Sequence, residues 1–383
     1  MAKNPQNPLH AVLADRIFDG RRWHERAAVL TEARRIVGLS GWGDVPDDCV
    51  REQAPVGAML VPGFIDLQVN GGGGMLLNDQ PTAQGMRAIA RAHRRLGTTA
   101  LLPTLITDRP EQMASAIVAA RSLAGADGVL GVHLEGPYLS PARPGAHRPE
   151  HIRAAMMRDL EALRDLPGCS LVTLAPECVP DGFVRALASS GVRVSAGHSE
   201  ASAERVLQAV DEGLTGVTHL YNAMPPLMGR APGIVGAALS EPRLIAGLIV
   251  DGIHVDAISV RAAFVAKGSD SIALVSDAMP TAGSDITRFE LMGRTITLNG
   301  GKLSTAEGTL AGAHLDMASA VRNAVTLARI PLDDALRSAT LTPARFLGLE
   351  QERGALIPSA RADFVALDSG LDVLSVWMEG ERV

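Results

Sequence analysis

The stretch VRVSAGHSEASAERVLQAVDEGLTGVTHL, residues 192–220, decides how the chain is read. It opens on an apolar, β-branched run at 192–198. It then passes through helical spacing at Val206, Leu207 and Val210, and closes on a second short run at 216–220. Ser199 stands where a helix cap belongs, and Gly213 where a helix stops. A strand, a crossover helix and a strand in this order predict two parallel strands. The first run ends in a histidine, His198, and the second carries one, His219, next to its end.

Working outward, the unit recurs. Similar runs lie at 63–69 (GFIDLQV), 98–104 (TTALLPT), 129–135 (VLGVHLE), 171–177 (LVTLAPE), 244–250 (LIAGLIV) and 271–277 (SIALVSD). With the first two they make eight strands over about 220 residues, separated by helical segments such as 83–96, which stops at Gly97. That is the size and rhythm of a (β/α)8 TIM-like barrel. Another helical stretch is expected at 331–347, after the eighth strand, and residues 284–310 read as a β-rich insertion. The ends of the chain, 9–61 and 354–383, carry short strand-like pieces with frequent turn signals. They are expected to form one small β-sandwich flanking the barrel. The predicted division is 1–61 and 354–383 for the sandwich and 62–353 for an α/β barrel.

Composition narrows the function. The chain has 383 residues, a formal net charge of −6 and only 3% aromatic residues, so it offers neither a basic field nor stacking platforms for nucleic acid. Its longest apolar run, 244–250, is far short of the roughly 18 residues a membrane span needs. The start, MAKNPQNPLH, lacks a signal-peptide core. Cys49, Cys169 and Cys178 have no metal or disulfide spacing. A soluble cytoplasmic protein is expected. Among the basic residues only Lys3, Lys267 and Lys302 are lysines.

Barrels of this type carry their chemistry at the carboxyl ends of the strands. The polar residues there are Gln68 and Asn70, Thr104, Glu135, Glu177, His198, His219, the 251–254 turn and Asp277. One carboxylate and two imidazoles, Glu135, His198 and His219, suit a single catalytic Zn2+ or Fe2+ with positions left open for water and substrate. Such an ion lowers the pKa of its water and polarises an acyl oxygen. Asp277 closes an apolar strand and is expected at the barrel mouth, where a carboxylate can take a proton and return it to a leaving group. Binuclear barrel hydrolases commonly open with His-x-His and many use a bridging lysine on the fourth strand. Here Gln68-x-Asn70 stands in the first place, and no lysine occurs between Lys3 and Lys267, so one metal is expected. His147 and His254 are candidates for gripping substrate, and Arg230, in MPPLMGRAPG, for an anion. His133 reads as an interior packing residue. His10, His24, His93 and His151 read as surface or structural, and His314 receives no role.

These motifs together resemble a known family. PGFIDLQVNG, HLEGPYLSPARPGAH, SAGHS, THLYNAMPPLMGRAPG, VDGIHV and SDAMPTAG are similar, in this order, to those of N-acetylglucosamine-6-phosphate deacetylase of the amidohydrolase superfamily. The resemblance runs from about residue 60 to the C-terminus. It implies Glu135, His198 and His219 as metal ligands and Asp277 as general base and acid. It implies His147 as a group that polarises the amide carbonyl, with Ala146 giving main-chain contact. Asn222 and Ala223 match contacts to the sugar phosphate, and Arg230 a phosphate ligand that family homodimers supply from the neighbouring subunit. Asp251 and His254 match a substrate-binding turn, and Leu310, Ala311 and Gly312 a segment over the sugar. Gln68 and Asn70 match the single-metal branch. The implied reaction is hydrolysis of N-acetyl-D-glucosamine 6-phosphate to D-glucosamine 6-phosphate and acetate in amino-sugar metabolism. The galactosamine epimer, a cyclic amide or an amino-purine stays open as the substrate of the same scaffold. The intact ligand and acid set argues against a catalytically dead sugar-phosphate binding protein.

Overall fold

The computed structural model describes residues 8–383. Eight parallel strands follow one another around a barrel: Phe64–Val69, Thr98–Ile106, His133–Glu135, Leu171–Leu174, Arg193–Ala196, Gly216–Val217, Ile245–Leu248 and Ile272–Leu274. Neighbours in sequence are neighbours in the sheet, as crossover helices require. The ring closes where Asp277 N donates to Gln68 O at 3.0 Å and Val69 bridges Ala278. Nearly every strand residue is buried, because the helices cover the outer face and side chains fill the interior.

Part of that interior is polar. His133 is fully buried, 3.2 Å from Thr104 Oγ1 through Nδ1 and 2.7 Å from Thr173 Oγ1 through Nε2. The chain continues through Thr218 Oγ1 at 2.6 Å to Ser195 Oγ at 2.7 Å. Every member has a partner, so the network ties five strands together without stranding a buried dipole. This is the interior role expected of His133, and burial pushes its ring down to about 4, leaving it neutral.

Local details depart from the sequence reading. The helix Ala203–Asp211 is capped by Ser202, whose hydroxyl accepts from Arg205 N, and not by Ser199. Ser199 is engaged by Glu177, to which it donates at 2.7 Å. The stretch after the eighth strand is two helices, Leu332–Ala339 and Leu341–Leu347, broken at Thr340, whose backbone leaves the helical region. The insertion forms a three-stranded antiparallel sheet, Arg288–Leu291, Arg294–Asn299 and Lys302–Ser304.

The two chain ends interleave in a second eight-stranded sheet. In it Met59–Pro62 lies between Leu9–Phe18 and Phe364–Leu367. Its apolar residues, among them Val12, Ile17, Leu60, Phe364 and Trp377, form a core separate from that of the barrel. Trp377 Nε1 donates to Glu52 Oε2 at 3.2 Å although their strands are not neighbours, so the sheet curls over that core. Among the described residues no helix is long and apolar enough to cross a membrane.

Candidate metal centre and active-site cavity

The carboxyl ends of the strands open into a cavity of about 430 Å3. Its wall includes Asn70, Glu135, His147, His198, His219 and Asp277. Three of these are aimed inward by unusual backbone. His198, His219 and Asp277 have φ of 48°, 33° and 50°, in the left-handed region that costs a non-glycine residue about 1–3 kcal/mol. Each sits just past its strand, and at His198 and His219, an odd number of residues after the inward-facing Ser195 and Thr218, the left-handed step accompanies a side chain that strand alternation alone would place away from the barrel axis.

Glu135 Oε1 lies 3.1 Å from His198 Nε2 and 3.0 Å from His219 Nε2, and the two ring nitrogens are 3.1 Å apart. Ligand atoms about 2.0–2.1 Å from a tetrahedral Zn2+ sit about 3.3 Å from one another, so this donor set has the size of a divalent site. The tautomer agrees at His198. Arg143 O accepts from Nδ1 at 2.8 Å, which leaves the Nε2 lone pair facing the centre. Burial raises the Glu135 carboxyl, but the adjacent rings of His198 and His219 outweigh it and hold the group well below the ordinary value. The centre therefore presents an ionised carboxylate and two imidazoles.

Asp277 faces this set. Burial and then the charge of Glu135 push its carboxyl up to about 6. Two carboxamides offset part of that. Asn70 Nδ2 donates to Asp277 Oδ1 at 2.6 Å, and Gln68 Nε2 donates to the same oxygen at 3.1 Å and to Glu135 Oε2 at 3.3 Å. Gln68 thus bridges two buried carboxylates that would otherwise repel without compensation. His147 is opposite in character. Thr107 N donates to its Nδ1 at 3.2 Å, which requires a lone pair there and puts the ring hydrogen on Nε2. Burial, reinforced by the nearby His198, pushes the ring down to about 3, so at neutral pH it is an uncharged donor.

The structure sorts the remaining sequence candidates. Ala146, Asn222, Ala223, His254, Leu310 and Gly312 line the cavity. Ala311 lies behind it, packed in a cluster with Met279, Leu291 and Ile296 of the insertion side. Asp251 does not line it, and its carboxylate is spent on the turn that carries His254. Arg230 is exposed at a turn closed by a Met228–Ala231 bridge, outside the cavity wall of its own chain. Glu177 is turned away in the short helix Pro176–Cys178, where it binds Ser199 Oγ and Glu200 N. The link of Thr107 to His147 left no signal in the sequence. That of Gln68 and Asn70 to Asp277 left one, since their two-residue spacing puts both on the inner face of the first strand.

Known proteins resemble this chain over most of its length. The Amidohydrolase family matches residues 59–383. An N-acetylgalactosamine-6-phosphate deacetylase of Shewanella sp. (strain ANA-3) is 46% identical over 325 residues, 84% of this chain and 82% of that protein. An N-acetylglucosamine-6-phosphate deacetylase of Haemophilus influenzae is 35% identical over 332 residues, covering 85% and 86%. The crystal structure of N-acetylglucosamine-6-phosphate deacetylase from Pasteurella multocida superposes with a TM-score of 0.93 at 34% identity, covering 98% of this chain and 99% of that one. Such a family implies a divalent metal, and the Glu135, His198 and His219 cluster is where these residues could hold it. The chain is thus a hydrolase that belongs to the amidohydrolase family and, within it, to the N-acetylhexosamine-6-phosphate deacetylases.

Proposed function

We propose that the protein hydrolyses the acetamide of N-acetyl-D-glucosamine 6-phosphate, giving D-glucosamine 6-phosphate and acetate in amino-sugar metabolism. The observation that carries this reading is the convergence, in one cavity, of a divalent-ion donor set, a carboxylate of raised pKa and an uncharged histidine donor. Glu135, His198 and His219 would hold one Zn2+ or Fe2+, which supplies Lewis-acid polarisation of the acyl oxygen and lowers the pKa of water.

The chain's own residues do the rest. Asp277, mostly ionised at neutral pH and close enough to it to be reprotonated, takes a proton from the attacking water. Gln68 and Asn70 hold its Oδ1, so Oδ2 is the oxygen left to carry the proton to the departing amine nitrogen. His147 donates its Nε2–H to the acyl oxygen as negative charge gathers there. Ala146, Asn222, Ala223, His254, Leu310 and Gly312 shape the sugar site, with Asp251 supporting it and Ala311 packed behind. Arg230 serves the phosphate of a neighbouring subunit in a cytoplasmic homodimer, a role supported by its exposure outside its own cavity. The same reading divides the chain at 61/62 and 353/354, between the curled sheet and the barrel.

A second reading, the galactosamine epimer as substrate, is favoured by the 46% identity to the Shewanella enzyme named for it. Acetate release from both epimeric sugar phosphates, with and without added metal, tests both. The wild type is expected to turn over at least one of them. Asp277→Asn is expected to keep fold and metal binding while losing about 10²–10⁴-fold in turnover, the scale of a general acid–base group. Near-normal turnover by that variant removes Asp277 from the mechanism, and no acetate from either sugar sinks the activity.

A further inference from the structure

The turn after the seventh strand holds an acid–histidine pair that takes no part in the proton transfers described above. Asp251 Oδ1 accepts from Ile253 N and His254 N, both at 2.8 Å, and Oδ2 accepts from His254 Nδ1 at 2.6 Å. Gly252, with φ of +74°, makes the sharp reversal that lets one carboxylate reach all three donors. Both side chains are 7% exposed, yet only His254 lines the cavity. A carboxylate with three donors already bound has little capacity left for a ligand. Burial raises the Asp251 carboxyl, but the His254 bond and the two backbone donors outweigh it, so the group is ionised. An ionised acceptor on Nδ1 requires the hydrogen on that nitrogen, and Nε2 becomes the ring atom offered to the cavity.

We propose that Asp251 is a positioning residue that touches no substrate and acts on the sugar phosphate only through His254, by fixing the ring's orientation and tautomer. This rests on the proposed activity. It also contrasts the two cavity histidines: Thr107 N donates to Nδ1 of His147, whereas Asp251 accepts from Nδ1 of His254. With an asparagine in place of Asp251, the side-chain N–H can face Nδ1 instead and reverse the tautomer.

The test is a double-mutant cycle on the full-length enzyme with its metal. Asp251→Asn keeps an oxygen for both turn N–H groups, and Asp251→Ser is the substitute should it fail to fold. In the native background Asp251→Asn is expected to raise KM about 10–100-fold, the scale found for groups that orient metal-binding histidines, with kcat within about threefold. In a His254→Ala background the same substitution is expected to change KM less than about twofold. Equal losses in both backgrounds, or a loss confined to kcat, overturn the inference. Wild-type acetate release is measured first. If it is absent, the proposed activity fails, and the cycle is read on calorimetric binding of D-glucosamine 6-phosphate. Absence of wild-type binding there overturns this inference as well.

Discussion

Asn70→Leu isolates the device that holds the general base. Asn70 is buried, and leucine has nearly its shape, so the main loss is the 2.6 Å donation from Nδ2 to Asp277 Oδ1. A hydrogen bond to an ionised group contributes about 1.5–3 kcal/mol, and about 1.4 kcal/mol moves an ionisation by one pH unit. The Asp277 carboxyl, pushed up to about 6 by burial and by Glu135, loses one of the donors that favour its charged form. Its ionisation should therefore move upward by about one to two pH units. The base works ionised, so kcat/KM falls on the acid side, and the acid limb of the profile should move to higher pH by that amount. A bound cation favours the carboxylate and lowers the limb in both proteins, leaving the difference between them to be measured. At a pH below both limbs the variant should be slower by about 10–100-fold. Well above both limbs the gap should narrow toward whatever loss of orientation costs. The assay is acetate release from the sugar phosphate between pH 5 and 9, with melting temperatures to confirm folding. A limb that stays in place, or moves to lower pH, refutes the argument that Asn70 tunes Asp277.

Other perturbations test neighbouring claims. Arg230→Ala should raise KM at least about tenfold for the phosphorylated sugar, the scale of a lost charge-assisted bond, and little for the unphosphorylated one. Equal effects on both remove it from the phosphate site. Chelated enzyme should lose activity and recover it with one equivalent of divalent metal by titration, whereas a need for two contradicts the single-metal reading of Gln68 and Asn70. Asp66 is fully buried, and burial pushes its carboxyl up to about 7. A value raised above that of the unfolded chain means a contribution to stability present at low pH and lost as pH rises through 7. The melting temperature of the wild type relative to Asp66→Asn should therefore fall between pH 5 and 8 by calorimetry. A flat or rising difference refutes the assignment.

The barrel was legible because its strands are short apolar runs buried on both faces, each followed by helical spacing. The candidate metal set was legible because Glu135, His198 and His219 all fall at the same point of that rhythm. The Ser199 cap misled because Ser202, three residues on, offers the same chemistry, and Glu177 decided which hydroxyl was free. The break at Thr340 also went unread, since the apolar spacing continues across it.

What the sequence determined by itself, then, is the fold class and the kinds of group at the strand ends, because both follow from local periodicity. What only the tertiary structure decided is which way those groups face and what holds them. The left-handed backbone at His198, His219 and Asp277 is not encoded by any glycine. The donation from Gln68 and Asn70 to Asp277 joins residues 209 and 207 positions apart. Asp251 and Ala311 lie in matching motifs yet stand behind the cavity wall, and Arg230 stands outside it. Direction, tautomer and burial depend on closure of the ring, which brings the first strand against the eighth, and no window along the chain contains that contact.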